Sequence, residues 1–185
     1  FSSFQNMSVA GVAVGAAFVN GTRHAISMER ELAKLSLSSR VAAGELDELV
    51  GASRRLAMGS DVAQGSILAM GGRLLKEGKS IQEMTTILGP VVTLVDTFGG
   101  NFEEAFKSAS GVTKAFNMDL MTLPKTMNMI AAVVSETNMN YDELLGTLRS
   151  VAPFAKSVGL TLDETISILG SFQSAGLTSQ QAMMA

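Results

Sequence analysis

Three pairs of adjacent carboxylates are the side chains in this sequence whose chemistry would matter most if they faced a cleft. They are Glu103-Glu104, Asp142-Glu143 and Asp163-Glu164. Two carboxylates in different environments can act as a general acid and a general base. Each pair, however, stands two and three positions after a short polar residue, which is typical of the first turn of a capped helix. We therefore interpret the pairs as helix-start residues and not as a catalytic dyad.

Other reactive side chains are scarce. The sequence contains one histidine, His24, and no cysteine, which excludes thiolate metal sites, cysteine nucleophiles, disulfides and multi-histidine zinc sites. The Gly-x-Ser-x-Gly, P-loop and His-Glu-x-x-His motifs are absent as well. We expect no enzymatic activity, no cofactor and no metal.

The composition is that of a folded domain. Of the 185 residues, 46% are hydrophobic and 17% are charged, and the formal net charge is −3. These values argue against intrinsic disorder, which needs lower hydrophobicity and more charge. The negative net charge argues against a dedicated nucleic-acid binder, which is usually basic. The basic residues Arg54-Arg55 and Arg73, Lys76 and Lys79 are scattered, so we interpret them as solvated helix faces.

Four helix starts are predicted by one pattern, a short polar residue with a glutamate three positions later. In this pattern the polar side chain accepts from a free backbone N–H group, and the glutamate bonds back to the cap's own N–H. Each cap is followed directly by an apolar residue, and each glutamate lies where the helix dipole favours negative charge. The four pairs are Ser80 with Glu83, Asn101 with Glu104, Asn140 with Glu143, and Thr161 with Glu164.

The caps recur about every twenty residues, which predicts the architecture. The candidate caps are Ser60, Ser80, Asn101, Asp119, Asn140, Thr161 and Ser179. Residues 80–119 and 140–179 therefore align at an offset of 60. We predict an all-α fold, an array of short antiparallel helices containing a duplicated three-helix unit of about 60 residues.

The three prolines and a group of methionines add detail to this prediction. Pro90, Pro124 and Pro153 fall within predicted helices, where each should kink its helix or leave the preceding turn as a separate piece. Five methionines crowd one region, namely Met118, Met121, Met127, Met129 and Met139. They favour an ordinary core in which Met replaces Leu, with an adaptable binding groove as the alternative.

Residues 1–36 form a separate part of the prediction, an apolar N-terminal helical segment and linker helix ahead of a helical core domain at 37–185. The run Val9–Val19 carries no charge but is too short for a membrane span, which needs about 20 residues. Gly11 and Gly15 are spaced so that two helices could approach closely there. A buried helix or an oligomer seam is the simpler interpretation, and a membrane-active segment is the alternative.

The last part of the sequence resembles a known family. The stretch Ser150-Val-Ala-Pro-Phe-Ala-Lys-Ser-Val-Gly-Leu-Thr-Leu-Asp-Glu-Thr, followed by Leu169-Gly170, Ala175-Gly176-Leu177 and Ala182, resembles the core region of phage tail tape measure proteins. The resemblance covers residues 37–185 and is clearest over the last fifty. Its motifs are structural and point to no active site.

The resemblance implies a structural virion component that lies in the tail lumen and is made in the host cytoplasm. Such a protein takes part in tail length determination, tail assembly and genome ejection. The implied partners are tail tube and tail tip proteins, a tail assembly chaperone, further copies of itself and the host membrane, without specific nucleic-acid binding. A helical-repeat protein-binding scaffold and a membrane-active helical protein remain alternatives. Because the caps interrupt any long helix, we expect this segment to be compact, with the measuring rod elsewhere in the protein.

Overall fold

A computed structural model describes residues 43–137 and 139–176. Within these ranges the chain is helical throughout, with short turns and no strand, which confirms the all-α prediction. The predicted N-terminal helix with Gly11, Gly15 and His24, and the candidate cap Ser179, lie outside the described residues. The seven described α-helices are α1 (Ala43–Ala57), α2 (Gln64–Lys76), α3 (Ile81–Phe98), α4 (Phe102–Ala115), α5 (Leu123–Glu136), α6 (Tyr141–Ser157) and α7 (Leu162–Ser174), with a 3-10 helix at Leu120–Thr122 before α5.

The helices share one hydrophobic core that extends from Leu49 on α1 to Leu169 on α7. Helices α1 and α2 pack extensively against each other. Further along the sequence, the most extensive packing joins helices two positions apart: α1 with α3, α3 with α5, α4 with α6, and α5 with α7. Each helix therefore packs against its second neighbour as well as its first, so that any three consecutive helices are in mutual contact.

Reversals at three helix ends explain why the backbone turns so sharply. Gly78, Asn117 and Gly159 each have a positive φ, between 56° and 85°. The residue after each of them donates its backbone N–H to a carbonyl oxygen five residues earlier. The bond from Lys79 to Leu74 is 3.0 Å long. This is the Schellman arrangement, which satisfies the last carbonyl groups and ends the helix. The corresponding bonds of the other two ends join Met118 to Thr113 and Leu160 to Ala155.

The prolines behave in two different ways. Pro124 lies in the first turn of α5, where no helical N–H bond is lost, and the turn before it is the separate 3-10 helix, as predicted. Pro90 and Pro153 lie inside α3 and α6, and both helices continue across them.

The prediction of a helix cap at Ser60 is wrong. The Ser60 hydroxyl donates to the carbonyl oxygen of Ala57 at 3.2 Å, so it belongs to the end of α1. Helix α2 begins at Gln64, after Ala63, whose side chain makes no capping hydrogen bond. Spacing alone misplaced this start because six residues separate α1 from α2, so that the helix begins four positions after Ser60.

The predicted 60-residue duplication stays a prediction, and the burial pattern supports it. Helices α4 and α7 bury the same five positions when they are aligned at this offset. These positions are Phe102, Ala105, Phe106, Ala109 and Ser110 in α4, and Leu162, Thr165, Ile166, Leu169 and Gly170 in α7. The third helix of the second unit would begin beyond the described residues.

Candidate functional site

The capped helix starts are the residues that the sequence singled out, and two of them carry a complete capping box. At α3 the Ser80 hydroxyl accepts from the Glu83 N–H at 3.2 Å, and the Glu83 carboxylate accepts from the Ser80 N–H at 2.8 Å. Thr161 and Glu164 form the same pair of bonds at α7, with the same lengths. The bond from the cap's backbone N–H is the main cause that lowers the pKa of both glutamates.

The other two starts use an amide side chain. Asn101 accepts from the Glu104 N–H at 3.1 Å at the start of α4. Asn140 accepts from the Glu143 N–H at 2.8 Å at the start of α6. The structure therefore places all eight predicted cap residues at the first turns of α3, α4, α6 and α7. These residues begin helices and lie at separate points of the fold, so they do not form a common binding site.

The three carboxylate pairs lie in these same first turns. Asp163 forms an ion pair with Lys125 of α5, which ties α5 to α7. Burial raises the pKa of Asp142, and the negative charge of Glu104 adds to this rise. The part of the protein that the structure describes holds no group of three or more side chains placed to bind a metal ion.

Tyr141 joins the two halves of the array. It is the first residue of α6, is 3% exposed, and its hydroxyl donates to the carbonyl oxygen of Gly99 at 2.9 Å. Gly100, with a φ of 106°, lies beside the hydroxyl end of the Tyr141 side chain, and a Cβ at this position would overlap the Tyr141 hydroxyl. Burial raises the pKa of Tyr141, and the charges of Asp142 and Glu104 contribute. The α3–α4 turn is thereby locked against the start of α6.

A cleft of about 630 Å³ lies between α2 and α4, beside Arg149 of α6. Its rim carries both signs of charge, and its floor includes the buried hydroxyl of Ser110. The basic rim residues are Arg73, Lys107, Lys114 and Arg149, and the acidic ones are Glu77, Glu103 and Glu104. The mixed charge gives this cleft no clear preference for an anion or a cation.

The scattered basic residues largely follow the prediction of a solvated face. Arg54, Arg55 and Arg73 are exposed, and Lys76 lies at the end of α2. Lys79 differs, since its ammonium group lies 3.5 Å from the Glu83 carboxylate and 3.8 Å from that of Asp119.

The methionines are distributed as the core interpretation expects. Met127 and Met139 are buried at 1% and 4% exposure, whereas Met121, at 38%, is exposed. Met118 and Met129 are partly buried against the core. These side chains fill space between helices and do not line a shared groove.

The comparisons with known proteins decide the family. The sequence model of a family described as phage-related minor tail protein matches residues 51–185. The chain belongs to this family. Over 109 residues it is also 25% identical to the tape measure protein of Pneumococcus phage Dp-1, a stretch that covers 59% of this chain and 10% of that relative. The resemblance to phage tail tape measure proteins is thus confirmed, while no solved structure matches the sequence.

As a member of the phage-related minor tail protein family, the protein has a structural role in the phage tail. Membership of this family places the protein in the virion tail. Within the described ranges, no helix is both long enough and apolar enough to cross a bilayer. The match spans about a tenth of the length of the curated relative.

Some residues that define this arrangement escape the sequence-based prediction. The spacing pattern identifies Tyr141 merely as the apolar residue after a cap, whereas its bond to Gly99 is a contact between residues 42 positions apart. The adjacent Gly99-Gly100 pair is the available signal, because glycine is used where another group approaches the backbone closely.

Proposed function

We propose that this chain is a compact helical domain of a tape measure protein, and that the whole protein takes part in tail length determination, tail assembly and genome ejection. The observation that carries the proposal is the similarity to the Dp-1 tape measure protein together with the family match over residues 51–185. We propose that the domain acts by contact and not by catalysis, because the family to which the chain belongs is one of phage tail proteins.

The physical argument for a compact domain is the cost of extending it. A continuous helix rises about 1.5 Å per residue, so a unit of about 60 residues drawn into a rod would span about 90 Å. Such a rod would lose caps worth about 1 kcal/mol each. It would also expose core residues such as Leu88, Leu144 and Leu148, which are fully buried in the array. We therefore place the length-measuring part of the protein outside this domain.

A phage that carries a tandem duplication of residues 80–139 tests whether this segment measures length. If the segment is a compact domain, the tails seen in electron micrographs keep their parental length. If it is part of an extended ruler, the tails lengthen by about 90 Å, and that result would overturn the compact-domain proposal.

A second phage, with the whole gene product removed, tests the tape measure role itself. A tape measure protein is required for tails of uniform length, so the expected result is loss of tails or tails of irregular length. Normal tails in its absence would remove the basis of the proposed function. The control is complementation from a plasmid that carries the parental gene.

The proposed partners follow from this function. We propose contacts with the tail tube and tail tip, self-association in the tail lumen, and contact with the host membrane during ejection, without specific nucleic-acid binding. A tail assembly chaperone would protect the protein in the host cytoplasm, because 46% of the residues are hydrophobic and unassembled apolar surface aggregates. Co-expression with the phage's other tail genes should raise the soluble fraction, and an unchanged fraction would argue against a chaperone.

A further inference from the structure

The charges that line the cleft between α2 and α4 are of both signs, but they are not evenly mixed along its length. Lys79, just after α2, and Asp119, just after α4, lie 3.8 Å apart, so the C-terminal ends of the two helices lie close together. Glu77, at the end of α2, therefore lies at this end of the cleft. Glu103 and Glu104 lie in the first turn of α4, at the opposite end. Carboxylates thus mark both ends of the cleft.

The middle of the cleft is basic. Ser110 lines its floor, and Lys107 and Lys114 stand three and four positions away on the same face of α4. A Cβ placed on Gly111 would lie 3.9 Å from the Cδ, Nε and Cζ atoms of Arg149. The guanidinium group of Arg149 therefore lies along α4 next to Ser110, so that three basic side chains stand around this hydroxyl.

These basic side chains have no anionic partner within the described part of the protein. A fourth one, Arg73, lines the cleft from α2, one helical turn before Glu77. None of the four forms an ion pair with a described residue, whereas Lys79 and Lys125 each do. Because like charges repel each other, an anion bound between these side chains would lower the free energy of the arrangement.

The Ser110 hydroxyl is a hydrogen-bond donor that the fold leaves unused. Ser110 is 9% exposed, and its hydroxyl has no partner among the described residues. Thr113, on the same helix, shows the usual arrangement, because its hydroxyl donates to the Ala109 carbonyl oxygen at 2.9 Å. An unpaired buried hydroxyl costs free energy, which a ligand oxygen that accepts from Ser110 would recover.

We propose that this cleft binds an acidic peptide segment of a partner protein. A carboxylate of the segment is held between Arg149 and Lys107 and accepts from the Ser110 hydroxyl. Basic side chains on either side of that carboxylate face the acidic ends of the cleft, at Glu77 and Glu103. The proposal rests on the proposed action of the domain by contact, and it names the chemistry of that contact.

Size and charge order favour a peptide over a nucleic acid. Glu103 and Lys114 are 11 positions apart, so the cleft runs for about 16 Å along α4. A peptide of about five extended residues, at about 3.3 Å each, spans this length. A nucleic acid carries a negative charge on every phosphate group, and its backbone would meet the carboxylates of Glu77 and Glu103 at the two ends.

Two peptides of the same composition test whether the cleft distinguishes this order of charge. The acidic-centred peptide is Lys-Asp-Gly-Asp-Lys, and the inverted peptide is Asp-Lys-Gly-Lys-Asp. Both have blocked ends, carry the same fluorescent label and have balanced charges. Titration with the full-length protein at low ionic strength, where screening is weak, measures both dissociation constants. We expect the acidic-centred peptide to bind at least about 10-fold more tightly, because only this order brings carboxylates to the basic side chains.

Two pairs of substitutions locate the binding site. Arg149→Gln should weaken binding of the acidic-centred peptide about 10-fold, because it removes a charge-assisted hydrogen bond. Arg54→Gln makes the same change on an exposed residue of α1 outside the cleft, so it should have no effect. Ser110→Ala should also weaken binding about 10-fold, whereas Ser108→Ala, on the same helix but outside the cleft lining, should not. Urea denaturation of each variant shows whether it stays folded.

Four results would overturn the proposal. Equal affinities for the two peptides, or undetectable binding of both, would show that the cleft does not select an acidic centre. Unchanged binding in Arg149→Gln and Ser110→Ala would place the peptide outside the cleft. Displacement of the peptide by a short DNA duplex would identify a nucleic acid as the ligand. Peptide binding to the purified protein does not depend on tail length, so its failure is separate from a failure of the tail experiments.

Discussion

At the scale of single residues, two buried serines show how much a hydrogen bond matters in this fold. Ser53 is fully buried, donates to the Val50 carbonyl oxygen at 2.9 Å and lies 3.3 Å from the amide nitrogen of Gln64. Ser110 is 9% exposed, and its buried hydroxyl has no partner among the described residues. An unpaired buried hydroxyl costs free energy that a paired one recovers.

We therefore predict different effects of the same substitution at the two positions. Ser53→Ala should lower the free energy of unfolding by about 1 kcal/mol or more, because it leaves the Gln64 amide without this partner. Ser110→Ala should leave the free energy of unfolding unchanged or raise it. Urea denaturation of both variants measures the difference, and an equal loss in the two would contradict the assignment of Ser110 as unpaired.

Gly100 and Tyr141 give a second prediction at this scale. Gly100→Ala combines a strained positive φ with a clash against the Tyr141 hydroxyl, so we expect a loss of about 2–3 kcal/mol. Gly159→Ala is the matched control, since Gly159 has a φ of 81° but open space around it. It should cost about 1 kcal/mol.

A double-mutant cycle checks the cause. Tyr141→Phe alone should cost about 1 kcal/mol, because it removes the bond to Gly99. In the Tyr141→Phe background, Gly100→Ala should cost less than in the parent, since the clashing oxygen is gone. Strict additivity in urea denaturation would show that the hydroxyl is not what restricts residue 100.

At the scale of the helix, the caps determine where each element begins. Ser80→Ala and Thr161→Ala should each lower the free energy of unfolding by about 1 kcal/mol. The two sites are on different helices, so the double variant should show their sum. Thr86→Ala, in the middle of α3 where the hydroxyl bonds to the Gln82 carbonyl at 3.0 Å, is the control and should change stability little. Equal effects at residues 80 and 86 would argue against capping.

The capping boxes also predict a pH dependence. Bonds from the cap N–H groups hold the pKa of Glu83 and Glu164 below its ordinary value in the folded protein. A lowered folded-state pKa means that this stabilisation is present above the unfolded pKa, about 4.3, and is lost as the pH falls through the folded value. In the double variant Glu83→Gln with Glu164→Gln, the free energy of unfolding should therefore fall less steeply as the pH drops below about 4.3. An unchanged slope would contradict the assignment.

The sequence predicted the local features of these helices and missed the long-range ones. Ser80, Asn101, Asn140 and Thr161 each act on backbone groups three residues away, so their role can be read from spacing. Ser60 has the right residue type, but its hydroxyl bonds backwards to Ala57, and residue type alone cannot distinguish the two directions.

The spacing of residues in the sequence could not predict which distant helices pack against each other. A periodic pattern identifies which face of a helix is apolar but not which helix covers it. Leu94 and Phe154 occupy equivalent positions in the sequence, yet one is buried and the other exposed. Helix α5 lies beside Leu94, whereas the described helices leave Phe154 exposed, and no local pattern contains this difference.

At the scale of the whole molecule, the described helices share one hydrophobic core and do not form a series of separate units. Packing between second neighbours interleaves the two predicted units, since α4 packs on α6 and α5 on α7. The Tyr141 bond to Gly99 and the Lys125–Asp163 ion pair cross the same boundary. Removing either unit would expose apolar surface of the other, so neither unit has a complete core of its own.

We accordingly predict a single cooperative unfolding transition. The sequence contains no tryptophan, so Phe98→Trp on α3 and Phe172→Trp on α7, both half-buried, report on the two units separately. Because small domains with one core unfold in an all-or-none manner, the urea midpoints from the two probes and from circular dichroism should coincide. If α3 and α7 belonged to independent domains, the two tryptophans would report separate midpoints. The interleaved packing would then contribute too little to couple the units, and the array would behave as a repeat solenoid whose segments unfold one by one.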